Sequence, residues 1–259
     1  MEVILIYNPE DAERNREYIE IYRQECRRRG LKFTLMLRDE EEGRGVNDFR
    51  GEDKLYLNRS RDWRLSEKLA KAGLRVMNSP LVCRLGNDKL AAYEWCVEKG
   101  IPVMKTAETP FCFPCVMKSR DGHGGSEVFM AGDREAAEKI KAEHPGKSFI
   151  FQEPCDTPGR DLRLYIIGNR IAAGMLRTSD RDFRSNFSLG GKAVPHEADE
   201  AERAVAEAVM KELWIDNGAI DLIYHEGRPV FNELEDAAGS RMLYKYTDID
   251  IVSLFLDRL

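Results

Sequence analysis

The sequence contains few of the features that reveal a function directly, and each missing one removes a class. No apolar run approaches the roughly 18 residues that a membrane span needs, so no membrane partner is expected. The opening residues MEVILIY carry an acid at Glu2 and no basic leader, which reads as a first strand and not as a signal peptide. Positive charge is not in excess: 40 Lys and Arg stand against 46 Asp and Glu, a net charge of −6. That argues against nucleic-acid binding through bulk charge. Cysteines are few and scattered, at 26, 83, 96, 112, 115 and 155, in a chain too long to need disulfide staples. Reduced thiols in a cytoplasmic protein are the simplest expectation. Cys112 and Cys115 form a CxxC, but no second CxxC or His pair completes a zinc site, and the two read as strand residues. The four histidines, His123, His144, His196 and His225, are isolated, and no Ser-His-Asp or Cys-His arrangement supports a protein nucleophile. There is neither a GxxxxGK[ST] phosphate loop nor a dinucleotide-binding glycine fingerprint, and there is no internal repeat.

What remains is a globular composition, 42% hydrophobic and 33% charged over 259 residues, enough for one large domain or two small ones. The first 80 residues alternate strand and helix. Val3–Tyr7, 31–37, 55–57 and 74–77 read as strands. A helix runs from the Asn8-Pro9 start to Arg29, with Ile19, Tyr22 and Cys26 on one face, and another covers 62–72. Alternation of this kind implies a small parallel α/β unit. The charged stretch 38–53 reads as a loop, and Asn78-Ser79-Pro80 as a boundary. Beyond it the pattern becomes α+β. Helices are expected over 87–99, 133–143, 197–213 and 248–259, the last with Ile251, Leu254 and Phe255 apolar. Strands are expected near 113–118, 126–130 and 149–153, with a hairpin of 161–168 and 170–178.

Three stretches could carry chemistry. In GAIDLIYHEGRPVFNELEDAAG, residues 218–239, two short strands flank a turn around Gly227. A turn centred there sets Asp221 opposite Glu233, and strand alternation puts Glu233 and Glu235 on one face. Three converging carboxylates are unfavourable without a cation between them, and hard carboxylate oxygens suit Mg²⁺. A solvated acidic hairpin edge is the alternative. The segment KSRDGHGGS, 118–126, lies between two strands, where backbone N–H groups could line a polyphosphate, or it is a surface turn. Arginines 160, 163, 170, 177, 181 and 184 and Lys192 cluster in 160–192. Arg163 and Arg177 on adjacent strands can point into one cleft to meet an anion, or form ordinary surface charge.

Together these segments resemble the ATP-grasp superfamily and, within it, the RimK-like amino-acid and glutamate ligases. The resemblance covers nearly the whole chain and is carried by NDK at 87–89, FPCVMKSRDGHGG at 113–125, FIFQEP at 149–154, GRDLRLYIIGNRIAAGMLR at 159–177, DFRSNFSLGG at 182–191 and the spacing of Asp221, Glu233 and Glu235. It implies a small Rossmann-like α/β domain over 1–80, then an ATP-grasp fold of two α+β subdomains, 81–152 and 153–259, with ATP between them. It implies ATP and Mg²⁺ as cofactors, two ions or Mn²⁺ in their place. Lys89 and Lys118 would contact phosphates, under a loop containing Gly124 and Gly125. Gln152, Glu153 and Cys155 would form the adenine edge, Cys155 as the nearest backbone donor because Pro154 has no N–H. Asp161 would sit near ribose or phosphates. Arg184, Ser185 and Asn186 would hold the γ-phosphate and the reacting carboxylate, so that Arg184, Asn186 and Lys118 form the catalytic set. Arg163, Arg177 and Arg184 would bind an anionic substrate, and Asp221, Glu233 and Glu235 the metal.

The implied activity is an ADP-forming carboxylate–amine ligase working through an acyl phosphate on an amino acid, peptide or protein tail. Homo-oligomers are compatible with the family. A small-molecule kinase and a nucleotide-binding module without turnover are the alternatives. Two departures stand out. The family usually has Asn where this chain has Glu235. It also usually follows that ligand with a Ser-Pro-Gly-like turn, where this chain has Asp236-Ala237-Ala238-Gly239. Specificity is expected in 38–53, in 179–192 and in that turn.

Overall fold

Apolar runs with period-2 alternation pair into three sheets in the computed structural model, which describes residues 1–38, 49, 51, 53–187 and 190–259. The first sheet is all parallel in the order β2-β1-β3-β4: β1 is Glu2–Tyr7, β2 Lys32–Leu37, β3 Lys54–Asn58 and β4 Arg75–Met77. The α/β alternation of the first 80 residues thus forms the parallel sheet it implies. The expected helix 9–29 is two, α1 (Pro9–Arg14) and α2 (Arg16–Arg28), broken at Asn15. The Asn15 side chain donates to the Asp11 carbonyl at 2.7 Å, the local competition with helix that Asn favours. α3, Trp63–Lys71, begins where Asp62 accepts from the Arg64 N–H. Most of the expected loop 38–53 lies outside the described residues.

Asn78-Ser79-Pro80 starts another helix: α4 runs Pro80–Asn87, with Ser79 Oγ accepting from the Val82 N–H. A separate α5, Lys89–Glu98, replaces the single helix expected over 87–99. Asp88 divides the two, accepting from the Ala91 N–H while pairing with Arg120 at 2.7 Å. A cap and a proline at the first helical position were the legible signals for α4.

The second sheet is antiparallel, β5-β8-β6-β7, with β5 Thr106–Ala107, β6 Cys115–Ser119, β7 Val128–Ala131 and β8 Phe149–Gln152. One face, with Met117 and Phe151, packs against α6, Arg134–Glu143. Cys115 belongs to β6; Cys112 lies outside any strand, and both thiols are free. The third sheet is antiparallel, β11-β10-β9-β12-β13. Its strands are β9 Arg160–Ile167, β10 Ile171–Thr178, β11 Lys192–Pro195, β12 Asn217–His225 and β13 Arg228–Glu235, and α7, Glu200–Glu212, precedes β12. The chain ends in α8, Arg241–Tyr246, and α9, Ile251–Leu256. In α9, Ile251, Val252 and Phe255 are buried, whereas Leu254, expected on the apolar face, is 41% exposed. No helix among the described residues is long and apolar enough to cross a membrane.

Alternation along β9, β10 and β12 decides where the site can be. Leu162, Leu164, Ile166, Ile220 and Leu222 face α4, α5 and α7 in one core. On the opposite face, Tyr165, Ile167, Met175 and Ala219 pack against Val3, Leu5, Tyr22 and Leu55 of the first sheet and α2, and against α8 and α9. Further along that same face the residues turn charged: Asp161, Arg163, Arg177 and Asp221. The apolar end anchors the N-terminal residues and the charged end opens onto a cleft.

Candidate active site

The cleft lies between that charged face and the free face of the second sheet, which contributes Val116, Lys118 and Gln152. Register brings the acidic and basic residues together. Asp221 is opposite Arg163 on β9 and opposite Glu233 on β13, and Arg177 on β10 is opposite Asp161. Arg163 grips Asp221 with both arms, at 2.8 and 2.7 Å, and donates to Glu235 at 2.6 Å. Arg177 grips Asp161 at 2.5 and 2.6 Å and adds a bond to Asp221 at 2.7 Å. Both arginines are buried, so each charge is stabilised by bidentate pairing, the geometry that suits guanidinium best. Burial works against the Asp221 charge, and Arg163 and Arg177 outweigh it, holding its carboxyl below the usual range. Asp161 and Arg177, expected beside ribose or phosphates and beside a substrate carboxylate, are therefore engaged with each other.

Two lysines enter from the other walls. Lys89, the first residue of α5, pairs with Glu233 at 2.7 Å and donates to the Gly122 carbonyl. Lys118, near the end of β6, donates to the Tyr93 hydroxyl at 2.9 Å and to Asn232 Oδ1 at 2.8 Å. Among the described residues no carboxylate is hydrogen-bonded to Lys118, and burial pulls its ammonium down to about 8. Tyr93 and Asn232 escaped the sequence reading. Tyr93 stands four residues after Lys89 on the same helix face, a spacing that could have found it. Asn232 could not be found by alternation, because it is the extra residue of a β-bulge: the ladder runs His225↔Arg228 to Leu222↔Phe231, then shifts to Asp221↔Glu233. The turn is the two residues Glu226 and Gly227, both at positive φ, so the hairpin is centred half a residue before Gly227. The bulge restores the expected facing pair and turns Asn232 towards Lys118.

The Gly-rich segment 122–125 bridges β6 and β7 over the cleft, with Gly124 and Gly125 at φ +67° and +78°. A Cβ on Gly125 would run into the Asn186 carboxamide. Arg184 donates to the Gly125 carbonyl at 2.9 Å and to Val128 at 3.3 Å while paired with Asp182 at 2.6 Å. Arg184 and Asn186 thus meet the Gly-rich loop directly, and Ser185 lines the same cleft. On the rim, Gln152 and Cys155 line the cleft, and Gln152 donates to the Thr106 hydroxyl at 3.0 Å. The Glu153 side chain is exposed and its N–H is bound to the Lys105 carbonyl. His123, set aside as isolated, lines both this cleft and a neighbouring cavity. Burial pulls its imidazole down to about 4. His225 sits at the hairpin end, 3.8 Å from Asp156 and outside the cleft.

One oxygen each of Asp221, Glu233 and Glu235 lie within 4.8 Å of one another. Glu233 and Glu235 each commit a single oxygen to Lys89 and Arg163, respectively. A set of hard carboxylate oxygens at this spacing fits a divalent cation of the Mg²⁺ type. The neighbouring cavity, about 480 Å³, meets the cleft at Gly122, His123, Gly124, Glu127, Arg177 and Asn186. Its far wall comes from the N-terminal residues and from the turn after Glu235.

Comparison with known proteins agrees with this architecture. The chain is 27% identical over 251 residues to an uncharacterised protein of Mycoplasma pneumoniae, covering 93% of this chain and 86% of that one. It is 27% identical over 203 residues to a probable alpha-L-glutamate ligase of Legionella pneumophila, covering 71% and 67%. The fold superposes on the D-alanine–D-alanine ligase of Bacillus anthracis complexed with ATP with a TM-score of 0.72 over 99% of this chain and 95% of that one, at 13% identity. Residues 61–259 match the model of the RimK-like ATP-grasp domain, and the chain belongs to that family.

Proposed function

We propose that the protein is an ATP-dependent carboxylate–amine ligase that forms ADP, phosphate and an amide. The observation that carries this reading is the convergence of Lys89, Lys118 and three carboxylates across one cleft beneath a glycine loop. Family membership and the ligases among its relatives support it. The reading assigns residues 81–152 and 153–259 to the two halves that hold ATP, with 1–80 as a small α/β domain beside them.

A carboxylate oxygen of the substrate attacks the γ-phosphorus of ATP, and the bond to the β-phosphate oxygen breaks to leave ADP. An amine then attacks the acyl carbon and expels phosphate, losing a proton as the amide forms. Such chemistry asks the protein for charge and position, not for a nucleophile. Lys89 and Lys118 neutralise phosphate oxygens. Gln152 and Cys155 border the base. Arg184, Ser185 and Asn186 hold the loop over the γ-phosphate and screen the acyl phosphate from water. Asp221, Glu233 and Glu235 would hold Mg²⁺, as one ion or two or with Mn²⁺ in its place, and the bound cation would neutralise charge on the phosphates. Arg163 and Arg177 act by fixing Asp221, Glu235 and Asp161 in place, and Arg163 balances the carboxylate that Glu235 adds where the family usually has Asn.

The test is incubation with ATP, Mg²⁺, pooled amino acids and short peptides, reading ADP, phosphate and new masses together. A product lighter by one water than its two components, with phosphate released, is expected. A product heavier by one phosphoryl group would overturn the ligase assignment. Glu233→Ala should cost at least ~100-fold in turnover, the scale of one lost transition-state contact. Turnover that survives intact would refute the metal assignment.

A further inference from the structure

Amide formation releases a proton, and the groups assigned so far do not accept it. An amine that attacks the acyl carbon must lose a proton as the C–N bond forms and the C–O bond to phosphate breaks. A positioned base speeds such a step by about 100- to 10,000-fold. Most charged groups around the cleft are unsuited to the task. Lys89 pairs with Glu233, and Arg163 with Asp221 and Glu235, so the cations are already protonated and the carboxylates already engaged.

With ATP in the cleft, the amine arrives from the neighbouring cavity, and the acyl phosphate forms where the two spaces meet. Three of the residues that line both are titratable: His123, Glu127 and Arg177. Glu127 holds Lys147 with one oxygen at 3.0 Å, and its other oxygen is buried. Arg177 is bound to Asp161 and Asp221. His123 differs from both. Its backbone carbonyl accepts from the Ser126 hydroxyl at 3.2 Å, but among the described residues neither ring nitrogen has a hydrogen-bonded or ion-paired partner. A free imidazole loses its proton near about pH 6.5, and burial favours the neutral form further. Of the three side chains, His123 alone is uncharged at neutral pH and offers a nitrogen lone pair. It is flanked by Gly122 and Gly124, the latter at φ +67°, so no neighbouring side chain keeps the ring from bound atoms.

Resting on the ligase reading, we infer that His123 is the catalytic base of the second step. A ring nitrogen takes the proton of the attacking amine as the amine lone pair bonds to the acyl carbon. Phosphate leaves with the electron pair of the C–O bond. The imidazolium then lies beside that departing anion, which stabilises it, and passes its proton to phosphate or water. The first step needs no such base, because the attacking carboxylate oxygen is already ionised. The loop that covers the γ-phosphate therefore also carries the proton acceptor.

The test is product formation by the wild-type protein, His123→Gln and His123→Ala with ATP, Mg²⁺ and the same pool of amino acids and short peptides, with and without hydroxylamine. Hydroxylamine is uncharged at neutral pH and captures an acyl phosphate as a hydroxamate without help from a protein base. In both variants amide formation should fall by about 100-fold or more, and hydroxamate formation by less than about threefold. The hydroxamate reports, in the same sample, that the fold and the first step are intact. Amide and hydroxamate falling together would assign His123 to nucleotide binding or loop closure and overturn the inference. Amide formation that stays within about threefold of wild type would overturn it too. A wild-type protein that yields no hydroxamate would instead refute the ligase reading, and the inference with it.

Discussion

Lys118 is a buried ammonium whose hydrogen-bonded partners, Tyr93 and Asn232, are both neutral. With its pKa pulled to about 8, the folded protein binds fewer protons than the unfolded chain between that value and the ordinary lysine value of ~10.4. This group's contribution to stability therefore rises with pH across that window and is least favourable below it. Phosphate binding requires the charged form, so the sign is opposite for the nucleotide. ATP affinity should be flat below pH 8 and fall by about tenfold per pH unit above it, with one proton taken up on binding. Lys118→Arg, which stays charged, should remove that fall. A pH-independent affinity in the wild-type protein would show that Lys118 does not touch the phosphates. Arg177 makes the complementary point: with Asp161 on two of its donors and Asp221 on a third, its charge is already balanced inside the fold.

The element that concentrates the chemistry is the β12–β13 hairpin. Its two-residue turn, with Glu226 and Gly227 at positive φ, suits the right-handed twist of the strands. Its bulge places Asn232 and Glu233 together towards the lysines. The facing of Asp221 and Glu233 was legible from the position of Gly227. The bulge was not, because no residue type marks it and only packing against β9 and α5 selects it. The glycine loop is the other element with a function of its own. Gly125→Ala would add a Cβ at φ +78° beside the Asn186 carboxamide. The strain alone costs about 1–2 kcal/mol. Turnover should fall by about tenfold or more while Tm drops only a few degrees, because the loop is not part of the main cores. A large loss of Tm with unchanged kcat would show that the loop is structural only.

At the scale of the molecule, one apolar cluster joins the parallel sheet to the third sheet and to the last two helices, from Val3 and Tyr22 to Tyr165, Leu243 and Phe255. Buried Asn78 reinforces this junction. Its side chain donates to the Asn217 and Asp236 carbonyls at 2.7 and 3.1 Å and accepts from the Asp216 and Asn217 N–H groups at 3.0 Å each. Thermal unfolding should therefore be a single cooperative transition, and Asn78→Ala should destabilise by about 2 kcal/mol or more, because one buried and three part-buried backbone groups lose their partner at once. Two separate calorimetric transitions would contradict the shared core. The same junction carries Arg59 to the wall of the cavity beside the cleft.

The sequence by itself determined the features governed by neighbours a few residues apart. The parallel α/β start followed from alternation. Hairpin positions followed from the turns at 168–169 and around Gly227, and one helix start from Asp62, whereas Ser79-Pro80, read as a boundary, opens α4. The motifs from Lys89 to Glu235 that mark the RimK-like family followed from their order along the chain. Only the tertiary structure decided the bulge at Asn232, the exposure of Leu254 and the pairing of each charge. Arg163 meets Asp221 across 58 residues of sequence, Lys118 meets Asn232 across 114 and Arg59 meets Ala238 across 179. Capping, turn conformation and alternation are set by local sterics and hydrogen bonds. Which guanidinium is neutralised and which is left for a ligand depends on burial and on partners that only the packed sheets bring together.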